Sequence, residues 1–266
     1  MKIGNIFIVC LVIVSQGCSH NQKSAGLGMN TAVQAEIEEQ KGKSVIRKVV
    51  EDNVFTTNRG LKKYLDYFGN DFATDLESLS ANQQWIDGGA GSANAQKDFL
   101  KARIKNKKPI PKLTSITVKY PADQPRKLSN GKFEVFADRY FEVIPDNEFK
   151  AADIITDVVG ILNYTDSLDI ALEKYLRILK PLGKIYVFIP SGITQIQKKD
   201  GQVLDLIPWI NSISGLRASF LSNSTSPYPQ QYSFVIEKSN SNIVVPKLKL
   251  QTAIHRNVVV RHFVEI

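Results

Sequence analysis

The sequence predicts an α/β domain built on a mainly parallel sheet, and three observations predict it. Short β-branched and aliphatic runs alternate with amphipathic helical patterns from about residue 60 to residue 238. One of these runs, Trp85-Ile86, leads through Asp87 into the glycine-rich turn Gly88-Gly89-Ala90-Gly91-Ser92-Ala93 and on into a stretch that can start a helix. The 266 residues are 43% hydrophobic and 23% charged, which supplies one sizeable core.

Taken in order, the chain opens on Lys2 followed by an apolar stretch from Ile6 to Val14, the length of a signal-peptide core and too short for an ordinary membrane span. Ser15-Gln16-Gly17-Cys18 follows. The segment 1–18 resembles a bacterial lipoprotein signal, with Cys18 as the lipidated residue. Ser19 then implies sorting to the outer membrane, and Ser15 and Gln16 depart from the usual lipobox. Residues 19–30 are polar and glycine-containing and read as a flexible tether. The two cysteines, Cys10 and Cys18, leave no disulfide framework for the body of the protein.

Residues 31–80 read as a helical cap, lying on a sheet or acting as a lid over the glycine-rich turn. Thr31 to Val50 is the first helix, Asn58-Arg59-Gly60 breaks the pattern, Leu61 to Phe68 is a second helix and Phe72 to Leu79 a short third. After the turn a helix runs from Ser92 to about Ile104 and continues into Lys105, Lys107, Lys108 and Lys112. With a formal net charge of +8, this basic face from Lys97 to Lys112 suits a solvated surface or anionic headgroups. Nucleic acid is disfavoured, because no aromatic residues interleave the lysines.

Leu113–Lys119, Phe133–Ala137 and Ala152–Thr156 read as strands. Asp166 to Leu179 carries Leu168, Ala171, Leu172, Tyr175, Leu176 and Leu179 on one face and is a helix. Pro181-Leu182-Gly183 stops it before the strand Lys184–Ile189. Val203 to Ile213 reads as a helix bent at Pro208, and Leu216–Leu221 and Tyr232–Glu237 as two late strands. Residues 241–266 add a C-terminal β-hairpin extension, Ile243–Leu250 and Val258–Val264, with His255-Arg256-Asn257 as its turn. His255 and His262 have no carboxylate pattern around them, so no metal site is expected.

Two blocks resemble class I S-adenosylmethionine-dependent methyltransferases. Trp85-Ile-Asp-Gly-Gly-Ala-Gly-Ser-Ala93 is similar to the motif that ends strand one. Ala152-Asp-Ile-Ile-Thr-Asp-Val-Val-Gly-Ile-Leu-Asn-Tyr164, with Leu179-Lys-Pro-Leu-Gly-Lys-Ile-Tyr-Val-Phe-Ile189, is similar to strand four, its helix and the turn into strand five. The resemblance implies a Rossmann-like seven-stranded methyltransferase sheet with flanking helices over residues 81–240. It implies S-adenosylmethionine as cofactor, held near Asp87, Gly88, Gly89 and Gly91, with Asp138 toward adenine and Asp157 at the rim where methyl donor and acceptor meet. Asp157 and Tyr164 are the candidate catalytic residues. The acceptor is unidentified. A sulfonium methyl is already activated, so such an enzyme works mainly by alignment.

The sequence departs from that pattern at Lys119-Tyr120, where the family places an acid for the ribose hydroxyls; Asp123 is the nearest substitute. Ala93 stands for the third glycine, and Leu182 for the first glycine of the later turn. The lipoprotein resemblance and the cofactor also disagree on compartment, since the methyl donor is cytoplasmic. Two functions therefore stand side by side: a methyltransferase, and a non-catalytic, lipid-anchored envelope protein that keeps the fold as a binding or scaffolding module.

Overall fold

The computed structural model describes residues 58–118, 120–137, 139–190, 194–221, 231–239, 242–255 and 258–266. The expectations for the signal segment, Cys18, the tether, the helix 31–50, Lys119 and Asp138 lie outside the described residues.

The first described helix, α1 (Leu61–Ser78), joins what the sequence presents as two helices, and its backbone breaks at Gly69, where φ is 73°. That left-handed position suits glycine alone among common residues. Then follow β1 (Gln84–Gly88), α2 (Asn94–Lys105), β2 (Lys112–Thr117), the two-residue β3 (Lys127–Leu128) and β4 (Phe133–Ala137). Two short 3-10 turns lead to β5 (Ala152–Val158), the one-turn α3 (Ile161–Tyr164), α4 (Leu168–Ile178) and β6 (Leu179–Pro190). After β6 come β7 (Thr194–Gln197), β8 (Val203–Asp205), α5 (Leu206–Ser212), β9 (Leu216–Phe220), β10 (Gln231–Lys238), β11 (Leu248–His255) and β12 (Val258–Glu265).

The main sheet has the order β3-β4-β2-β1-β5-β6-β10-β9. β4, β2, β1, β5 and β6 are parallel, and β10 runs antiparallel between β6 and β9. Apart from β3, this is the Rossmann-like methyltransferase sheet that the sequence implies. One face is covered by α1 and α2, whose Tyr64, Phe68, Phe72 and Phe99 pack with Trp85 and Tyr186 of the sheet. The other face is covered by α4 and α5, through Leu172, Tyr175, Leu176, Trp209 and Ile210. The stripe of α4 read from the sequence thus lies against a sheet face.

Two sequence expectations are corrected. Val203–Ile213 is not one bent helix: residues 203–205 pair with β7, and α5 begins after Asp205 with Pro208 in its first turn. Proline is tolerated there because first-turn N–H groups have no helical partner. Ile243–Leu250 is extended only from Leu248. The terminal hairpin does form, β11 against β12, and joins β7 and β8 in a separate four-stranded sheet.

Candidate functional site

Chain order reverses at β1. From it the chain steps to β2 and β4 on one side, while β5 and β6 lie on the other. Loops leaving β1 and β5 part at such a point and leave a crevice beyond the carboxyl ends of the strands, where α/β sheets bind ligands. The glycine-rich turn and residues 157–160 meet here.

Asp87 ends β1 fully buried. Its carboxylate accepts the Tyr64 hydroxyl at 2.9 and 3.1 Å and the Thr156 hydroxyl at 2.7 Å. Burial pushes its pKa up to about 7, against the lowering effect of those two hydroxyls and of Arg59. Asp157 is buried likewise, at the end of β5. It accepts the N–H groups of Gly160 at 2.9 Å and Leu162 at 3.0 Å and the Tyr175 hydroxyl at 2.9 Å. Burial raises it to about 6, opposed by those donors. Asp157 thus ties the start of α3 to β5 and α4. Tyr164, at the end of α3, is 44% exposed on the rim.

The glycines of the turn are used by the protein itself. A Cβ on Gly88 would sit 1.8 Å from the Tyr175 hydroxyl, and one on Gly89, where φ is 79°, 2.4 Å from the Cα of Gly160. The N–H groups of Gly89 and Ala90 both donate to the Ile116 carbonyl at 3.0 Å. Gly91 and Ala93 are left-handed, at φ 56° and 57°, and Ala93 is the N-cap of α2. Val159 has φ 47°, a strained position for a β-branched residue.

Several residues here carried no motif in the sequence. Asn58, Arg59 and Gly60, which read only as a helix break, cross the crevice as a strap. The Ser92 hydroxyl donates to Asn58 Oδ1 at 2.7 Å, Arg59 Nη2 donates to the Val158 carbonyl at 3.0 Å, and the Leu61 N–H donates to Asp98 at 3.1 Å. On the β2 side, Lys97 leaves the basic run and turns inward. Its ammonium donates to the Ser92 carbonyl at 3.0 Å and to the Gln124 side chain, 5.0 Å from the centre of the Tyr120 ring. Burial lowers its pKa. Asp123, the substitute acid, is exposed. On the far side, buried Arg261 of β12 donates to the carbonyls of Thr165 at 2.7 Å and Leu162 at 2.6 Å and to the Thr194 hydroxyl at 2.6 Å. The second sheet therefore buttresses α3.

S-adenosylmethionine brings an ammonium, a carboxylate, a sulfonium and two ribose hydroxyls. Among the described residues, several groups that would meet it already have partners, while Asn163 Oδ1, in the same segment as Asp157, is buried with none. Asp87 and Asp157 have hydroxyl and N–H donors, the Gly89 and Ala90 N–H groups face Ile116, and the space above Gly88 and Gly89 holds Tyr175 and Gly160. In this arrangement these residues do not fit the cofactor, and no chemical step follows from it.

No family model matches the chain, and no curated protein matches it. Solved structures do resemble it. One is the 1,6-didemethyltoxoflavin-N1-methyltransferase of Burkholderia thailandensis with bound 1,6-didemethyltoxoflavin and S-adenosylhomocysteine: 11% identity, TM-score 0.45, covering 84% of this chain and 94% of that one. A second is a putative class I S-adenosylmethionine-dependent methyltransferase of Listeria monocytogenes, at 10% identity and TM-score 0.42, covering 82% of this chain and 70% of that one. A third is the citrinin polyketide synthase CMeT domain, at 13% identity and TM-score 0.39, covering 59% of this chain; this chain spans 46% of that domain's length. Likeness of this degree carries no argument about activity.

Proposed function

We propose that this chain is a non-catalytic module that keeps the methyltransferase fold for binding or scaffolding at the cell envelope, tethered through Cys18. What carries the reading is the self-satisfaction of the crevice. Asp87, Asp157 and the N–H groups of Gly89, Ala90 and Ala93 are spent on the protein's own partners, and the Asn58–Gly60 strap lies across them. Polar groups already paired in a buried site offer a ligand no net gain, since each protein bond must be broken for each new one made.

A second reading is supported by the sheet order and by the glycine-rich turn at its reversal point. On this reading the protein is a methyltransferase using S-adenosylmethionine on an unidentified acceptor, and the strap must move before the cofactor enters. Calorimetry of the full chain with S-adenosylmethionine separates the two. No heat of binding at millimolar ligand is the outcome for the non-catalytic module; saturable binding that weakens in Asp87→Ala overturns it. The anchor has its own test. Fatty-acid labelling should vanish in Cys18→Ser, and labelling that persists removes the lipoprotein reading.

A further inference from the structure

We infer that the edge of the domain opposite the crevice, centred on the C-terminal end of α2, docks on an anionic lipid surface. α2 runs from the carboxyl end of β1 back to the start of β2, so its last turn lies at the amino edge of the parallel strands. The basic run divides there. Lys97 turns into the crevice, Arg103 is buried against the carbonyls of Leu76, Glu77 and Leu79, and Lys112 pairs with Glu134 at 2.8 Å. Lys101, Lys105 and Lys107 stay exposed and make no ion pair with a described acid, while Lys108 meets Glu77 at 2.6 Å.

An exposed apolar side chain lies among these lysines in the sequence. Ile104 is 54% exposed, one turn from Lys101 and Lys107 and next to Lys105. The same edge carries a second such residue. Leu182 is 93% exposed at the start of β6, held outward by a left-handed backbone at φ 64°. β6 stands three strands from β2, about 14 Å away at the usual strand spacing.

Unpaired cations beside exposed Ile104, with exposed Leu182 on the same edge, suit an interfacial contact. Lysines reach phosphate headgroups while the apolar side chains enter the acyl boundary. Ile104 and Leu182 would add apolar contact to the charge of this edge, and single-stranded nucleic acid would ask for aromatic platforms instead. Docking in this orientation leaves the Asn58–Gly60 strap and the crevice facing away from the membrane. The inference deepens the envelope reading and takes from it which surface is met; its test does not depend on whether the cofactor binds.

The full chain is mixed with vesicles of phosphatidylcholine alone or with added phosphatidylglycerol, and binding is read by sedimentation. Residues 1–57 are common to all variants, so differences between them report this face. Lys101→Glu/Lys105→Glu/Lys107→Glu should bind the anionic vesicles at least tenfold more weakly, and Ile104→Ser/Leu182→Ser several-fold more weakly, with unchanged thermal melting. Amide exchange on the anionic vesicles should slow at 101–108 and 180–184 but not at 160–165. Equal binding by wild type and both variants overturns the inference. So does an RNA oligonucleotide that displaces the vesicles while Ile104→Ser/Leu182→Ser binds as the wild type does, which would mark a general polyanion site.

Discussion

Gly89 and Gly160 lie backbone against backbone: a Cβ on Gly89 would be 2.4 Å from the Cα of Gly160, and one on Gly160 would be 2.2 Å from the carbonyl oxygen of Gly88. The two loops at the reversal of the sheet are packed directly on each other. Their glycines serve that contact whether or not a ligand is ever present.

Alanine at either position should therefore destabilise the fold itself. Gly89→Ala adds a left-handed alanine to a backbone clash, for a loss of about 2–4 kcal/mol in urea unfolding. Gly131→Ala is the control. Its φ is 80° but the space is open, so only the conformational cost of about 1–2 kcal/mol remains. Equal effects at 89 and 131 would mean that the loops do not touch.

Asp87 sets a pH dependence. Its pKa is near 3.9 in an unfolded chain and about 7 in the fold, so between these values the folded state holds a proton that the unfolded state has released. Its contribution to stability is largest below pH 4, declines as pH rises toward 7, and is constant above. The slope reaches about 1.4 kcal/mol per pH unit at most. Asp87→Asn should flatten unfolding free energy against pH in this window; an unchanged slope would place the titration elsewhere.

Arg261 ties the second sheet to the rim of the crevice. Arg261→Met leaves the Leu162 and Thr165 carbonyls buried without their donor, at about 1–3 kcal/mol for each such group. Amide exchange should quicken at residues 161–165 ahead of β1 and β5. Uniform quickening across the sheet would show a global loss of stability instead of a local release.

How much of this was legible beforehand follows from the range of each interaction. Seven strands of the main sheet and the stripe of α4 are written locally, because a strand and an amphipathic helix need apolar residues at fixed spacing wherever they pack. The break at Asn58-Arg59-Gly60 was visible, but not that it is a strap; its partners Ser92 and Val158 are far along the chain. Val203–Asp205 could not be told from a helix start, since three residues carry no period and only pairing with β7 makes them a strand.

The sequence by itself determined the fold class and the presence of a glycine-rich turn after Asp87. A glycine pair announces that something must come close, because it removes the Cβ that would prevent it. Which atoms come close was decided by tertiary structure alone. Strand order brought Gly160 against Gly89, α4 brought Tyr175 over Gly88, and α1 brought Tyr64 to Asp87. The approach that the glycines permit is made here by the protein's own backbone and side chains.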